Sequence, residues 1–460
     1  MKKKMTLIFT LIITLIIYGQ NKQILYNFNQ LPQTLLLNPG EEMTHKWHVG
    51  IPFLSGISVQ YESTELKFLG ILLDNSKPIL EKFRDVVSNL TLKSNDFIVI
   101  NQQLELFNVG FSLQNKIDFL SFGIYEELDA VFYYPKVLAE LFYKGNTVLD
   151  KEYSFKDLKF RTELVSVFHV GISRKFNDDL QVGARLKVYS SYFNLQTNNN
   201  SGVYYTKLGE TYPYNHFLNG MSGSIKTSGI FLPAGTEIDK FYVIDKTLLG
   251  GNLGLGVDIG FTHKPNKNLK ISGSVTDLGF IYNSKDILSF KLEDNYNFED
   301  VEPILFDFDK PDKYWNEVID SLNISKEDTE FKKSYLSFRS TKVNAQIKYE
   351  FGEDRFVDCY DTEVDPGYFN AIGAHLFTIF RPIAPQVAAT IFYERKFTRG
   401  LRAKLTYTVD SFSYTNVGFG LSAKIGVFNI YGMADNLLGY QNLAKANSAS
   451  FQLGMNIIIP

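Results

Sequence analysis

The sequence predicts an all-β protein, a transmembrane antiparallel β-barrel of about fourteen strands, within roughly twelve to sixteen, carrying short helices in its outer loops. Three observations point there. The chain opens with an export leader, its long segments alternate apolar and polar residues with period two, and the connections between those segments are alternately short and long.

The leader comes first. Lys2, Lys3 and Lys4 precede an apolar run from Met5 to Ile17, and Gly19 offers a small residue for cleavage. That run is thirteen residues long, short of the roughly 20 that a spanning helix needs. Residues 1–19 are therefore read as a cleaved signal peptide, and the mature chain lies outside the cytoplasm. With 47 Lys+Arg against 50 Asp+Glu and three of the lysines in the leader, the mature chain is mildly acidic. No basic cluster exists to neutralise phosphates, which excludes nucleic acid as a partner. The one cysteine, Cys359, excludes an internal disulfide and any Cys/His metal cluster.

Residues 20–43 are expected to form a periplasmic or plug segment, because they precede the first strand and are long enough to fold into a barrel from below. The barrel occupies 44–460. In β-like alternation, Leu253, Leu255, Val257, Ile259 and Phe261 face one way and Gly254, Gly256, Asp258 and Gly260 the other. The stretches 180–189, 342–351 and 401–408 repeat the pattern. Segments this long suit the roughly 9–11 residues of a tilted membrane strand better than the shorter strands of a soluble sandwich. Fourteen segments carry it: 44–62, 97–113, 117–133, 158–175, 180–194, 249–263, 269–283, 335–351, 368–380, 387–397, 401–413, 416–425, 427–436 and 448–460. Connections at 114–116, 176–179, 264–268, 398–400 and near Gly426 are short and assigned to the periplasmic side. Those at 63–96, 134–157, 195–248 and 284–334 are long and assigned outside. The connection 352–367 is long for its side, and 195–248 has room for another hairpin through Val203–Leu208 and Lys240–Ile244. Helical spacing follows a proline at Pro78–Asn89 and at Pro311–Leu322.

The N-terminal run Tyr26-Asn27-Phe28-Asn29-Gln30-Leu31-Pro32-Gln33-Thr34, the Leu37-Asn38-Pro39-Gly40 turn, the strand end Val275-Thr276-Asp277-Leu278-Gly279-Phe280-Ile281 and Met433-Ala434-Asp435-Asn436-Leu437-Leu438 together resemble an uncharacterised family of Bacteroidota outer-membrane β-barrels. The Asn-Pro-small element and the strand ends are also distantly similar to FadL-like, PorV and PorP/SprF barrels. The resemblance covers the mature chain and implies a monomeric outer-membrane barrel of about fourteen strands. It transfers no catalytic residue. Outer-membrane strands commonly finish on an aromatic residue, whereas this chain ends Ile457-Ile458-Ile459-Pro460, which leaves the exact last strand open.

Little in the sequence proposes chemistry. The Gly251–Gly256 run lacks the strand-turn-helix context of a phosphate loop, and its alternate inward glycines suit the approach of a plug or bulky neighbour, or curvature of the barrel wall. His45 and His48, three apart on the predicted first strand, are expected on opposite faces, and His169 and His375 in the lumen wall. The 285–330 segment, with 14 acidic and 5 basic side chains, reads as a solvated loop face. No nucleophile, base and orienting group share a local pattern, so no enzyme activity, metal or cofactor is expected. The residues expected to face the lumen are Arg185, Lys187, Asp258, Lys342, Gln346, Lys348, Glu350, Arg402 and Lys404, a mixed but mostly positive lining. Asn38, Pro39 and Gly40 are expected to contact the lumen or a partner. Two functions follow by analogy. The first is an outer-membrane barrel, embedded in lipid, that binds or passes a small, possibly hydrophobic ligand. The second is an interaction barrel serving type IX secretion or gliding proteins.

Overall fold

Strands whose alternate residues are apolar must bury one face, and here the apolar face is the exposed one. On the segment Asn252–Asn266, Leu253, Leu255, Val257, Ile259 and Phe261 are exposed while Asp258 and Thr262 are buried. Water cannot favour that arrangement; hydrocarbon outside and a filled interior can.

The computed structural model describes residues 22–64, 96–115, 117–144, 148–210, 214–230, 240–299, 330–353, 367–410 and 412–459. In chain order the strands are β1 (Trp47–Gly50), β2 (Ile57–Ser63), β3 (Phe97–Ser112), β4 (Asp118–Tyr133), β5 (Tyr153–Ser154), β6 (Lys159–Lys175), β7 (Leu180–Leu208), β8 (Tyr214–Ser228), β9 (Asn252–Asn266), β10 (Leu269–Asn283), β11 (Ser289–Glu299), β12 (Glu330–Phe331), β13 (Tyr335–Phe338), β14 (Lys342–Glu353), β15 (Tyr368–Ile379), β16 (Gln386–Lys396), β17 (Leu401–Val409), β18 (Asn416–Ile425), β19 (Phe428–Asp435) and β20 (Ser448–Ile459).

Antiparallel pairing runs from β3 through β4, β6, β7, β9, β10, β14, β15, β16, β17, β18 and β19 to β20. β1 and β2 form one stave between β20 and β3, and β13 continues β14 along β10. The result is a closed ring of fourteen staves. Closure leaves no unpaired strand edge, the condition a sheet must meet inside a bilayer. The last strand is real despite its aliphatic end, because Trp47 pairs with Ile459 and Ile57 with Leu453.

Three expectations need correction. The first stave is not one strand over 44–62: residues 51–56 leave the ladder, and six residues stand where β20 offers only Gly454 and Met455 between its partners. Phe53, at φ 62°, turns this insertion outward, and alternation alone cannot register such a bulge. The long 195–248 connection does hide a hairpin, but its second strand is β8, which pairs with an extension of β7 to Leu208 and then with β11. Neither face of this extra sheet need meet hydrocarbon, so its Gly/Ser/Asn-rich sequence lacks strong alternation. Lys240–Asp245 is a helical turn (α2), since a short apolar run does not distinguish helix from strand. A further helix, α1 (Lys136–Lys144), lies in the 134–157 connection and packs Leu138 and Leu141 against Tyr153 and Tyr204. The helices expected at Pro78–Asn89 and Pro311–Leu322, the leader and most of 352–367 lie outside the described residues.

Candidate functional site: the occupied lumen

The N-terminal segment, residues 22–45, is packed against the inward face of the ring. Its backbone folds as successive tight turns: the amides of Leu25, Phe28, Leu31, Thr34 and Leu37 each donate to the carbonyl three residues before, at 2.9–3.1 Å. Leu25, Phe28 and Leu31, with Ile24, bury themselves against Tyr431 and Met433 of β19. Gly420 makes the room, because a Cβ there would stand 2.5 Å from Ile24 Cγ2.

Polar contacts fix the segment's register on the wall. Asn27 Nδ2 donates to Ser272 Oγ (2.5 Å) and Gln346 Oε1 (2.6 Å). Lys404 Nζ donates to the Tyr26 carbonyl at 2.7 Å, and the Tyr26 ring stacks on His375 with centroids 4.3 Å apart. Gln33 and Asn456 exchange amide hydrogen bonds of 2.9 and 3.1 Å, and Gln33 also donates to Glu105 at 2.9 Å. Arg402 reaches Asn29 Oδ1 at 3.3 Å. The Asn38-Pro39-Gly40 turn sits on two glycines: a Cβ on Gly183 would lie 1.9 Å from the Pro39 carbonyl oxygen, and one on Gly260 would lie 2.1 Å from Asn38 Oδ1. Asn38 Nδ2 meanwhile donates to the Phe261 carbonyl at 3.3 Å.

The nine residues named as lumen candidates fall into two groups of contacts. Asp258 joins Lys187 (2.8 Å) and Arg185 (3.6 Å), and Lys187 continues to Asp277 (2.6 Å), which Lys342 also meets at 2.9 Å. Lys342 reaches Glu127 at 3.0 Å; Arg339 spans Glu127 (2.5 Å) and Glu163, and Arg381 pairs with Asp129 at 2.5 Å. Lys348 pairs with Glu350 (3.3 Å) and Glu394 (3.4 Å), and Arg402 with Glu394 at 3.6 Å. Gln346 and Lys404 instead hold the N-terminal segment, and Lys404 also lies 4.4 Å over the Phe392 ring.

The interior is thus balanced in charge rather than mostly positive. Of the partners that alternation passed over, Asp277 lies at a register shift with φ 60° and Arg339 falls between β13 and β14, whereas Glu127, Asp129 and Glu394 keep regular register. The first histidine pair is also set by an irregularity. His45 lies before β1 rather than in it, so it folds back, and its Nε2 is 2.8 Å from His48 Nδ1 instead of across the sheet. His48 stacks on Phe119, and His45 meets that ring edge-on. Among the described residues, no three His, Cys, Asp or Glu side chains converge as metal ligands.

Burial dominates the ionisable groups of the segment. It pulls the Lys22 amine down to about 8 against the attraction of Glu127, and pushes the Glu41 carboxyl up to about 7 against Lys348 and Lys270. The cavities beside Lys22, lined by Gln33, Gln103 and Glu105 or by Gln60 and Met433, hold about 10 Å³ each, room for about one water. A groove of about 1260 Å³ lies instead on the outer wall, where Ile271, Ile347, Leu376 and Ile391 are exposed.

No curated protein matches the chain. Among solved structures, a Pseudomonas aeruginosa FadL homologue is similar at 9% identity and a TM-score of 0.43, covering 97% of this chain and 100% of its own. The Ralstonia pickettii toluene transporter TbuX follows at 10% identity and 0.41, covering 94% and 95%. The Pseudomonas putida toluene transporter TodX gives 9% and 0.38, covering 96% and 98%. A protein-family model described as a family of unknown function, DUF5723, matches residues 39–435, and the chain belongs to that family.

Proposed function

We propose that the protein is a non-enzymatic outer-membrane β-barrel that binds or passes a small apolar molecule, with its own N-terminal segment as the plug that closes the lumen. One observation carries this reading. Ile24, Leu25, Phe28 and Leu31 fill an apolar site on the inner wall against Tyr431 and Met433, so the chain places its own side chains where an apolar ligand would bind once the plug yields. The polar contacts around that cluster are individually modest, about 0.5–1.5 kcal/mol net each, and can be exchanged for water. The wall's exposed apolar belt supports a barrel seated in lipid.

Locking the plug tests it. Asn27→Cys with Ser272→Cys joins two side chains now 2.5 Å apart, in a Cys359→Ser background. Proteoliposomes of the reduced protein should take up a radiolabelled monoaromatic hydrocarbon analogue with a polar reporter, and oxidation should stop the uptake. Equal uptake in both states, or none in the reduced state, overturns ligand passage. The packed lumen itself favours the second reading, a closed interaction barrel that docks secretion or gliding proteins. Stoichiometric recovery of such proteins in mild detergent, with no uptake by the reduced barrel, would establish it.

A further inference from the structure

On the outward face of the wall, one row breaks the apolar pattern. Glu126, Ser166 and Ser190 are register partners across β4, β6 and β7. By alternation they share the face of the exposed Phe122, Val170 and Leu186. On β4 the same face carries Phe122 and Ile124 on one side of Glu126 and Leu128 and Phe132 on the other. A carboxylate and two hydroxyls left bare there would meet hydrocarbon. They are not bare, since Ser166 and Ser190 are fully buried.

The cover has two parts. Tyr192 follows Ser190 on this face and is the extra residue of a bulge in β7 opposite Leu164 and Val165. Its hydroxyl donates to Glu126 Oε1 at 2.6 Å and accepts from Ser166 Oγ at 3.3 Å. Over it lies α2 with the turn Lys246–Gly250. The Thr247 hydroxyl meets Tyr192, Ser190 Oγ donates to the Lys246 carbonyl at 2.7 Å, and the Gly251 amide donates back to Ser190 Oγ at 3.1 Å. Lys246 is tied down by Asp286 at 3.1 Å. With its polar side spent on the wall, the segment presents Phe241, Val243, Ile244, Leu248 and Leu249 away from it, Phe241 being 67% and Leu248 61% exposed. Asp245 is the exception on that side.

We propose that Lys240–Gly250 is a lipid-binding foot: it lies on the barrel wall in the membrane's outer leaflet, shields the Glu126-Ser166-Ser190 row and buries its apolar side chains among acyl chains. The occupant is lipid because the exposed side chains continue the apolar belt of the neighbouring staves, where Leu253 and Leu255 of β9 follow the turn directly. In a water-facing loop, five adjacent large apolar side chains would be a liability. An inverted amphipathic segment of this kind is a wall element rather than a lid. The inference rests on the outer-membrane reading of the barrel.

The test is depth measurement at two sites in the full-length protein with Cys359→Ser. Val243→Cys and Leu255→Cys are labelled singly with an environment-sensitive nitrobenzoxadiazole probe. Each labelled protein is then reconstituted into phosphatidylethanolamine–phosphatidylglycerol vesicles doped with nitroxide phosphatidylcholine. The expected result is that both probes emit to the blue of the free dye and are quenched by the nitroxide lipid but not by aqueous iodide. Iodide quenching at Val243 with lipid quenching at Leu255 overturns the foot and leaves the barrel in the membrane. Iodide quenching at both sites overturns the membrane reading and the foot with it. Heat-modifiable migration of each labelled protein confirms that the barrel has closed.

Discussion

Gly183 and Gly260 are register partners on adjacent staves, and the Asn38-Pro39-Gly40 turn rests on both. Neither glycine has a positive φ; each is needed because backbone of the N-terminal segment comes closer than a Cβ permits.

Gly183→Val should therefore unseat the plug and spare the ring. Its side chain would occupy the place of the Pro39 carbonyl, an overpacking worth roughly 1–3 kcal/mol. Limited proteolysis of reconstituted protein should cut within 22–45 faster in the variant, with heat-modifiable migration unchanged. A plug cut at the wild-type rate would refute the contact.

Arg339 holds two buried carboxylates, Glu127 and Glu163, while itself fully buried. Arg339→Met should destabilise the barrel by about 1–3 kcal/mol, because it removes one charged partner from each carboxylate and leaves Glu127 with Lys342 and Glu163 with Arg161. Replacing Glu163 by Gln in that background should recover part of the loss. Urea unfolding followed by tryptophan fluorescence in detergent measures both.

Gln33 and Asn456 trade two hydrogen bonds at the plug-wall contact, beside Glu105. Asn456→Leu leaves the Gln33 amide half satisfied inside the lumen, at a cost of about 1–3 kcal/mol. The expected outcome is faster hydrogen exchange at Leu31–Leu37 and little change in β17 or β18. Uniform acceleration throughout the ring would mean that the residue supports the barrel rather than the plug.

Glu41 gives the plug a pH dependence. Its carboxyl is raised by burial from 4.5 to about 7, so the folded state prefers it protonated. Its stabilising contribution is complete below about pH 4.5 and is lost as pH rises through about 7. Hydrogen exchange over 37–42, corrected for the intrinsic rate, should quicken progressively between about pH 4.5 and about pH 7, and Glu41→Gln should abolish the step. A step of equal size in the variant would assign it to another group.

Much of this was legible in the sequence because period-two alternation is a local property. Each of Leu253, Leu255, Val257, Ile259 and Phe261 declares its face without reference to any distant residue, and fourteen such segments make the ring. The inward glycines of the 251–256 run likewise announced a bulky neighbour, which at Gly256 is the Tyr189 ring. What alternation could not reach were the places where it stops. The insertion at 51–56, the bulged Tyr192, the register shift at Asp277 and the fold-back of His45 onto His48 all depend on which strand lies alongside.

The sequence by itself determined a closed β-ring with an apolar outer face, since hydropathy alternation and connection length are written residue by residue. Only the tertiary structure decided what fills the ring. Pairings such as Gln33 with Asn456, or Arg339 with Glu127 and Glu163, join residues 423, 212 and 176 positions apart. Charges that look like a mostly positive lining in sequence become neutral pairs when closure brings their partners across the lumen, because burial in a dry interior requires each charge to find its opposite.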